Sequence, residues 1–188
     1  MICEGLVTSL SDDGQINVAP MGPLVETDFQ QLILRPFQSS TTFRNLNATR
    51  CGVFHVIDAV DVIAEAAIGR LQRSPPTEPA VRVAGAVLQD CCHWYEFRID
   101  RVDASEMRSV MHATVVHFGI RRPFWGLNRA RHAILEAAIL ATRLHLIPID
   151  EVKRSLEFLR SAVEKTGGAV ELQTFAMLCD FVEQADNR

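Results

Sequence analysis

The sequence lacks the patterns that most readily assign a function. Its five cysteines include no CxxC pair, which argues against a zinc site and against a disulfide framework. The GxSxG, HExxH, GxGxxG and P-loop patterns are also missing, so the commonest hydrolase, peptidase and nucleotide-binding motifs are excluded. The six histidines show no metal-ligand spacing. We therefore expect no metal site, and we expect reduced thiols, as in a cytoplasmic protein.

Long apolar runs and an excess of basic charge are missing as well. The most apolar stretch, residues 133–141, is interrupted by Glu136 and flanked by Arg131 and Arg143, so we expect no membrane span. No basic region followed by an apolar run stands at the N-terminus, and we expect no secretory signal. The formal net charge of -4 disfavours a broad basic surface for nucleic acid. Neither a membrane nor a nucleic acid is an expected partner.

The composition is that of an ordinary globular protein, with 48% hydrophobic and 22% charged residues among 188. Short β-rich segments and turns fill the chain to about residue 120, and helical spacing dominates after Gly119. Asp58 and Asp150 are placed to cap two of the predicted helices. These helices are Thr41–Arg50, Asp58–Gly69, Arg129–Leu146, Asp150–Thr166 and Gly168–Gln184. We predict an α+β protein with a β-rich domain over residues 1–120 and a helical domain over residues 121–188.

The candidate binding residues cluster between the end of the predicted third strand, Gln31–Phe37, and the start of the first helix. Arg35 lies near the end of this strand, and the hydroxyl residues Ser39, Ser40, Thr41 and Thr42 follow it. The first N–H groups of a helix lack partners and carry partial positive charge. Hydroxyls and a guanidinium beside them make a compact anion site that suits a phosphate. The alternative is that Ser40 or Thr41 only caps the helix and that Arg35 is a solvated charge.

A second pattern precedes this candidate anion site in the sequence. Asn17-Val18-Ala19-Pro20 lies on the predicted second strand, Gln15–Thr27, where Pro20 requires a bulge or an exposed edge. Asn45 completes a later S/T-T-x-x-N pattern. An N-x-A-P strand, then a basic residue, then S/T-T-x-x-N resembles the FMN-binding split-barrel superfamily of flavin reductases and pyridoxamine-phosphate-oxidase-like proteins. Residues 128–143 are similar to an uncharacterised prokaryotic group of that superfamily with a C-terminal helical extension.

The resemblance implies a fold, a cofactor and a partner. The implied fold is an antiparallel split β-barrel of the FMN-binding type, followed by a C-terminal helical subdomain. The implied cofactor is FMN, with its phosphate near the arginine and hydroxyl run and its isoalloxazine along the backbone of the N-x-A-P strand. The implied partner is a second copy of the chain, with the flavin at the subunit interface. The implied cofactor-binding residues are Asn17, Ala19, Pro20, Met21, Arg35, Ser39, Ser40, Thr41, Thr42 and Asn45.

The resemblance leaves the activity open. The chain lacks the G-D-H-type motif of flavin reductases, so hydride transfer from a nicotinamide is less strongly implied than FMN binding. One hypothesis is an oxidoreductase or flavin reductase with an unknown small-molecule electron donor or acceptor. The second is a non-catalytic FMN-binding or electron-carrier protein. The third is a protein of the same fold that binds another phosphorylated ligand.

Two features of the helical part have alternative interpretations. Arg129, His132, Glu136 and Arg143 form a polar stripe on a helix whose other faces are apolar, which predicts a mostly buried helix. The stripe then forms a paired network that packs the helix, or it lines the substrate side of the flavin. The segment Arg121–Gly126 is either a hinge with a tryptophan anchor or a loop that covers the flavin of a partner subunit.

Overall fold

The computed structural model describes residues 1–71 and 73–186, which form two compact units. The first unit contains Met1–Ile57 and the chain from residue 73 to Phe124, and the second contains Asp58–Leu71 and the chain from Trp125 onward. The helical segment after Ile57 therefore groups with the C-terminal helices and not with the strands around it. The expected division at residue 120 stays a prediction, and its last two residues lie outside the described chain.

The first unit is built on one antiparallel sheet of seven strands in the order β2-β1-β5-β8-β9-β4-β3. A separate two-stranded ribbon joins β6 to β7. The strands and the one helix of this unit are β1 (Gly5–Leu10), β2 (Ile16–Met21), β3 (Leu24–Val25), β4 (Gln31–Leu34), α1 (Thr41–Thr49), β5 (Cys51–Val56), β6 (Thr77–Pro79), β7 (Ala86–Leu88), β8 (His93–Asp103) and β9 (Val110–Ile120). Successive side chains of each strand point to opposite faces of the sheet, so the apolar side chains of one face can form a core.

Helix α1 packs against this sheet through Leu46, which is fully buried. The contact requires Gly52 on β5, because a Cβ there would lie 2.8 Å from side-chain atoms of both Leu46 and Phe97. A side chain at this position would push the helix away from the sheet. Close packing at Gly52 therefore helps to fix where the N-terminus of α1 lies.

Strand β2 forms one edge of the seven-stranded sheet and pairs only with β1. This position explains Pro20, which has no N–H to give to a ladder and is tolerated at an edge. The predicted strand Gln15–Thr27 is divided into β2 and β3, since Gly22 and Pro23 interrupt the pairing. The prediction of an edge at Pro20 is confirmed.

The second unit is a helical cluster with its own core. Its helices are α2 (Val60–Ala67), α3 (Arg129–Ala141), α4 (Ile149–Thr166) and α5 (Ala169–Asp186). Val152, Leu156, Leu159 and Val163 recur at helical spacing along α4, and all are buried except Leu159, which is half-buried. Every helix of the described chain falls short of the length and apolarity needed to cross a bilayer.

Both predicted aspartate caps are wrong. Ala59 is the N-cap of α2 and makes no side-chain cap bond, while Asp58 accepts a hydrogen bond from the N–H of Trp125 at 2.9 Å. Pro148 is the N-cap of α4, and Asp150 lies within the first helical turn. An acidic residue in the first turn still complements the helix dipole, so the carboxylate of Asp150 favours the helix without capping it.

The apolar side of α3 is buried as predicted, at Ala130, Ala133, Ile134, Ala137, Ala138 and Ala141. The polar stripe is exposed, so its interpretation as a paired network is wrong. No hydrogen bond or ion pair links Arg129, His132, Glu136 and Arg143 within the described chain. The partly buried arginine of this helix is Arg131, whose Nε lies 3.0 Å from a carboxylate oxygen of Glu171 and whose guanidinium stacks 4.8 Å from the Trp125 ring centre. These ionic and cation–π contacts of α3 are therefore made by Arg131, which lies outside the predicted stripe.

His55 is a fully buried histidine on β5. Its Nε2 accepts the N–H of Leu88 at 3.1 Å, so Nε2 carries no proton, and its Nδ1 lies 3.2 Å from the carbonyl oxygen of Leu6 and donates to it. Burial lowers the pKa of His55 from 6.5 to about 4. The imidazole is therefore neutral at pH 7 and joins β5 to β1 and β7.

This histidine predicts a loss of stability on acidification. The unfolded chain binds a proton at the ordinary pKa of 6.5, and the folded chain binds it only near pH 4, so the free energy of unfolding falls between these values as the pH is lowered. We expect His55 to contribute about 2 kcal/mol to the decrease between pH 7 and pH 5. Urea unfolding of the His55→Gln variant at both pH values is expected to show a correspondingly smaller decrease.

The exposed His132 provides the matched control. The His132→Gln variant is expected to keep the pH dependence of the unmodified protein. An equal pH dependence in His55→Gln and His132→Gln would contradict the assignment of the acid sensitivity to His55.

Candidate functional site

The N-terminus of α1 is capped by Ser40. Its Oγ accepts the N–H of Phe43 at 3.1 Å and donates to the carbonyl oxygen of Phe37 at 2.7 Å. The capping interpretation of this hydroxyl is therefore correct. The N–H groups of Thr41 and Thr42 have no acceptor within the described chain, as is usual in the first turn of a helix. The turn thus presents two unpaired donors next to a capped end.

A guanidinium that the sequence analysis did not single out lies over this first turn. Nη1 of Arg44 donates to the carbonyl oxygen of Ser39 at 2.7 Å, and Nη2 donates to Oγ1 of Thr41 at 2.9 Å. Ser39, Thr41 and Arg44 are all exposed. The spacing of Arg44 three residues after Thr41 is a usable signal, because helical side chains lean toward the N-terminus and cover the preceding turn. We refer to Ser39, Thr41, Thr42 and Arg44 as the α1 cradle.

Arg35 follows β4 and is exposed. Its carbonyl oxygen accepts Nε of Arg108 at 3.0 Å, whereas no residue of the described chain is hydrogen-bonded to its guanidinium. The structure therefore does not join the Arg35 side chain to the hydroxyls as the sequence analysis expects. This guanidinium is free to bind a ligand.

A buried polar network joins the two parts of the predicted motif. Nδ2 of Asn17 on β2 donates to Oγ1 of Thr42 on α1 at 3.1 Å and lies 3.4 Å from Oγ of Ser9 on β1. Nδ2 of Asn45 donates to the same Ser9 oxygen at 3.2 Å. Ser9, Thr42 and Asn45 are buried, and Asn17 is half-buried. The side chains of Asn17, Thr42 and Asn45 therefore position α1 against β2 and do not all point to solvent.

Ser9 is the member of this network that sequence reasoning missed. It lies directly opposite Asn17 in the β1–β2 register, and the turn through Asp12, Asp13 and Gly14 between Ser11 and Gln15 sets that register. Gly14 completes the turn with a φ of +80°, as its position predicts. The hairpin turn is therefore the signal that pairs Ser9 with Asn17.

The remaining predicted residues lie on β2. The side chains of Asn17, Ala19 and Met21 lie on one face of the strand, and that of Pro20 lies on the other. Met21 packs against the core of the first unit. Because β2 pairs on one side only, its outer backbone edge is available to a ligand.

The electrostatics of the α1 cradle favour an anion. The first turn of α1 contains no acidic residue, and its two unpaired N–H groups add to the positive end of the helix dipole. Arg44 adds a full positive charge that is held in place by two hydrogen bonds. This donor set matches the oxygens of a phosphate monoester. Within residues 1–71 and 73–186, no group of three metal-ligating side chains could hold a metal ion.

The five cysteines are reduced thiols and form no disulfide. Cys91 is buried, and this burial raises the pKa of its thiol to about 11 despite the nearby Arg121. Cys91 therefore stays protonated and unreactive at neutral pH.

Comparison with known families gives two matches. A model described as the N-terminal domain of a protein of unknown function, DUF447, matches residues 3–122. A second DUF447 model matches residues 128–180. No curated protein matches the chain.

Comparison with solved structures gives a fold. An FMN-bound DUF447 protein from Methanosarcina mazei is 20% identical, covers 96% of this chain and 94% of its own, and has a TM-score of 0.82. The 2-nitrobenzoate 2-nitroreductase of Pseudomonas fluorescens is 15% identical over 63% of this chain and 64% of its own, with a TM-score of 0.54. The flavin reductase of the styrene monooxygenase of Pseudomonas putida S12 is 12% identical over 65% and 82%, with a TM-score of 0.52. The predicted split β-barrel with a C-terminal helical part is confirmed.

The buried network predicts a stability difference between two asparagines of α1. Replacing Asn45 with Ala removes a donor to Ser9 in the interior, and we expect the free energy of unfolding to fall by about 1–3 kcal/mol. Asn47 on the same helix is exposed, and its replacement with Ala is expected to change stability by less than about 0.5 kcal/mol. Urea unfolding of the two variants measures both values, and equal stabilities would contradict the structural role of Asn45.

Proposed function

We propose that this chain, which belongs to the DUF447 family, is an FMN-binding flavoprotein with oxidoreductase or flavin reductase activity. The observation that carries the proposal is the α1 cradle, where two unpaired N–H groups, two hydroxyls and a fixed guanidinium meet at a helix N-terminus. The FMN-bound relative from Methanosarcina mazei, which shares the fold over nearly the whole chain, supports the same cofactor.

The phosphate of FMN is held by the α1 cradle and by Arg35. The N–H groups of Thr41 and Thr42 and the hydroxyls of Ser39 and Thr41 donate to its oxygens, and the guanidinium of Arg44 offsets its charge. Ser40 contributes through its cap, which orients the turn. Arg35 provides a second guanidinium, since no residue of the described chain uses it.

The flavin ring lies along β2 in this proposal. Residues Asn17, Ala19, Pro20 and Met21 contribute backbone groups at the free edge of the strand, and Asn45 and Thr42 fix the distance between this edge and the α1 cradle through Asn17 and Ser9. FMN, when bound, supplies the redox chemistry. The role of the chain is to hold the phosphate, to orient the ring and to direct backbone donors toward it.

The proposal includes a homodimer with the flavin at the interface. Strand β9 exposes a row of apolar side chains, with Val116 at 39%, Phe118 at 62% and Ile120 at 66% of their full exposure. An apolar row of this kind on a sheet favours coverage by a partner surface. A second copy of the chain is the partner that the superfamily resemblance implies.

The alternative function is a non-catalytic FMN-binding or electron-carrier protein. The absence of a G-D-H-type motif favours this alternative, while the two reductases among the fold relatives favour the enzyme. The five reduced thiols fit a reducing compartment such as the cytoplasm.

The α1 cradle predicts a phosphate-specific loss of affinity in the Arg44→Gln variant. A charge-assisted hydrogen bond contributes about 1.5–3 kcal/mol, so we expect the Kd for FMN to rise about 10-fold to 150-fold. Riboflavin lacks the phosphate, and its Kd is expected to stay unchanged. Flavin fluorescence quenching measures both constants, and Arg35→Ala is expected to weaken FMN binding in the same range.

Arg98 supplies the control for this experiment, since it is an exposed arginine on β8 whose Nη2 donates to the carbonyl oxygen of Arg82. The Arg98→Gln variant is expected to bind FMN as the unmodified protein does. Unchanged FMN affinity in both Arg44→Gln and Arg35→Ala would place the phosphate elsewhere.

Turnover distinguishes the enzyme from the carrier. The FMN-loaded protein is mixed with an excess of reduced nicotinamide or reduced deazaflavin and with dioxygen as the electron acceptor, and the absorbance of the oxidised flavin is followed. Steady bleaching and reoxidation over many cycles is the expected result for the enzyme. Tight FMN binding without reduction by either donor would favour the carrier instead.

A further inference from the structure

An exposed aromatic ring with an arginine beside it lies next to the α1 cradle. Phe37 retains 53% of its full exposure, and the guanidinium of Arg108 lies 5.5 Å from its ring centre. The two residues also face each other through an isolated antiparallel bridge between their backbones. We refer to this pair as the Phe37–Arg108 platform.

The platform is fixed by the turn that joins β8 to β9. The N–H of Gln38 donates to the carbonyl oxygen of Met107 at 2.9 Å, and its Nε2 donates to the carbonyl oxygens of Ala104 and Glu106 at 2.7 and 2.8 Å. Nε of Arg108 donates to the carbonyl oxygen of Arg35 at 3.0 Å. These bonds hold the backbone on either side of Phe37 in place before any ligand arrives, which lowers the entropy cost of binding.

The platform adjoins the α1 cradle directly. The carbonyl oxygen of Phe37 accepts both the N–H of Ser40 at 2.9 Å and its hydroxyl at 2.7 Å. The residue that carries the ring is therefore bonded to the residue that caps α1. A ligand whose phosphate occupies the α1 cradle has its next groups within reach of Phe37.

The charge of the region exceeds what one phosphate monoester needs. A monoester carries about -1.5 to -2 charges at pH 7, and Arg35, Arg44 and the N-terminus of α1 are enough to offset them. Arg108 is a third guanidinium, and its two Nη groups have no acceptor within the part of the chain that the structure describes. An additional anionic group and a planar ring are the chemistry that fits Arg108 and Phe37 together.

We propose that the Phe37–Arg108 platform binds an adenosine phosphate group, so that the site accepts more than FMN alone. This inference rests on the proposed FMN site. The adenine stacks on Phe37, and the adjacent phosphate lies against the free Nη groups of Arg108. Two sources carry this chemistry: the adenylated flavin FAD, and a separate adenine nucleotide that binds beside FMN.

Binding measurements test the proposal and distinguish the two sources. The flavin-free protein is titrated with FMN and with FAD, and the FMN-loaded protein is titrated with ADP. In the Phe37→Ala variant we expect about tenfold weaker binding of FAD or of ADP, because loss of a stacking ring has an effect of this size, while the affinity for FMN is unchanged. Phe158 on α4, which is 84% exposed, gives the matched control as Phe158→Ala.

Each outcome decides the proposal. Tighter binding of FAD than of FMN, lost in Phe37→Ala, supports FAD as the source, and Phe37-dependent binding of ADP to the FMN-loaded protein supports a separate nucleotide. FAD no tighter than FMN together with no ADP binding overturns the inference and leaves the FMN proposal intact. If no flavin binds, the proposed function fails, and Phe37-dependent binding of ADP to the flavin-free protein then decides whether the platform is a nucleotide site.

A second variant guards against misfolding of Phe37→Ala. Arg108→Gln keeps the length of the polar side chain and removes its charge, and it is expected to weaken FAD or ADP binding about tenfold with FMN unchanged. Thermal unfolding at the same temperature as the unmodified protein verifies that either variant is folded. Full affinity for FAD and ADP in a folded Arg108→Gln variant would contradict the assignment of Arg108.

Discussion

The candidate site depends on one buried set of hydrogen bonds, in which the amides of Asn17 and Asn45 share the hydroxyl of Ser9 and Asn17 also reaches Thr42. An unpaired amide in the interior would cost about 1–3 kcal/mol, so the network specifies one position of α1 relative to β1 and β2. The N-terminus of the helix and the free edge of β2 are thereby held at a fixed separation. This is the separation that a ligand with an anionic end and a planar end has to match.

Packing reinforces the same arrangement from the other side of the helix. Leu46 enters the core above Gly52, where the missing Cβ permits close approach. Polar bonds at the start of α1 and apolar contacts in its second turn therefore act together. Rigid placement of the binding groups is what lets a small site hold a ligand without reorganising first.

Much of this arrangement is readable from the sequence. The start of α1, the cap at Ser40 and the edge position of Pro20 each follow from a local rule. The order of the N-x-A-P and S/T-T-x-x-N patterns identifies the superfamily fold. Local rules also locate the hydroxyls, although they do not separate those that cap or pack, such as Ser40 and Thr42, from those that stay exposed, such as Thr41.

The errors share a physical origin in tertiary contacts. Helical periodicity identifies the buried apolar side of α3, but it does not show whether polar residues on the other side, such as His132 and Glu136, find partners. Asp58 precedes a helix and resembles a cap, yet it accepts the N–H of Trp125 and pairs with Arg131 from a distant part of the sequence. Arg44 reaches the α1 cradle because its side chain points toward the N-terminus of the helix. Ser9 reaches Asn17 because of the register between β1 and β2. The partners of Arg44 are local, whereas those of Asp58 and Ser9 include residues remote along the chain.

The central claim is that the N–H groups of Thr41 and Thr42 receive the phosphate of FMN. Two-dimensional 1H–15N NMR of the protein titrated with FMN and then with riboflavin measures this directly. If the phosphate binds these two N–H groups, their amide protons move strongly downfield with FMN and stay near their free positions with riboflavin. Equal shifts of these two amides with both flavins, or none with FMN, would contradict it.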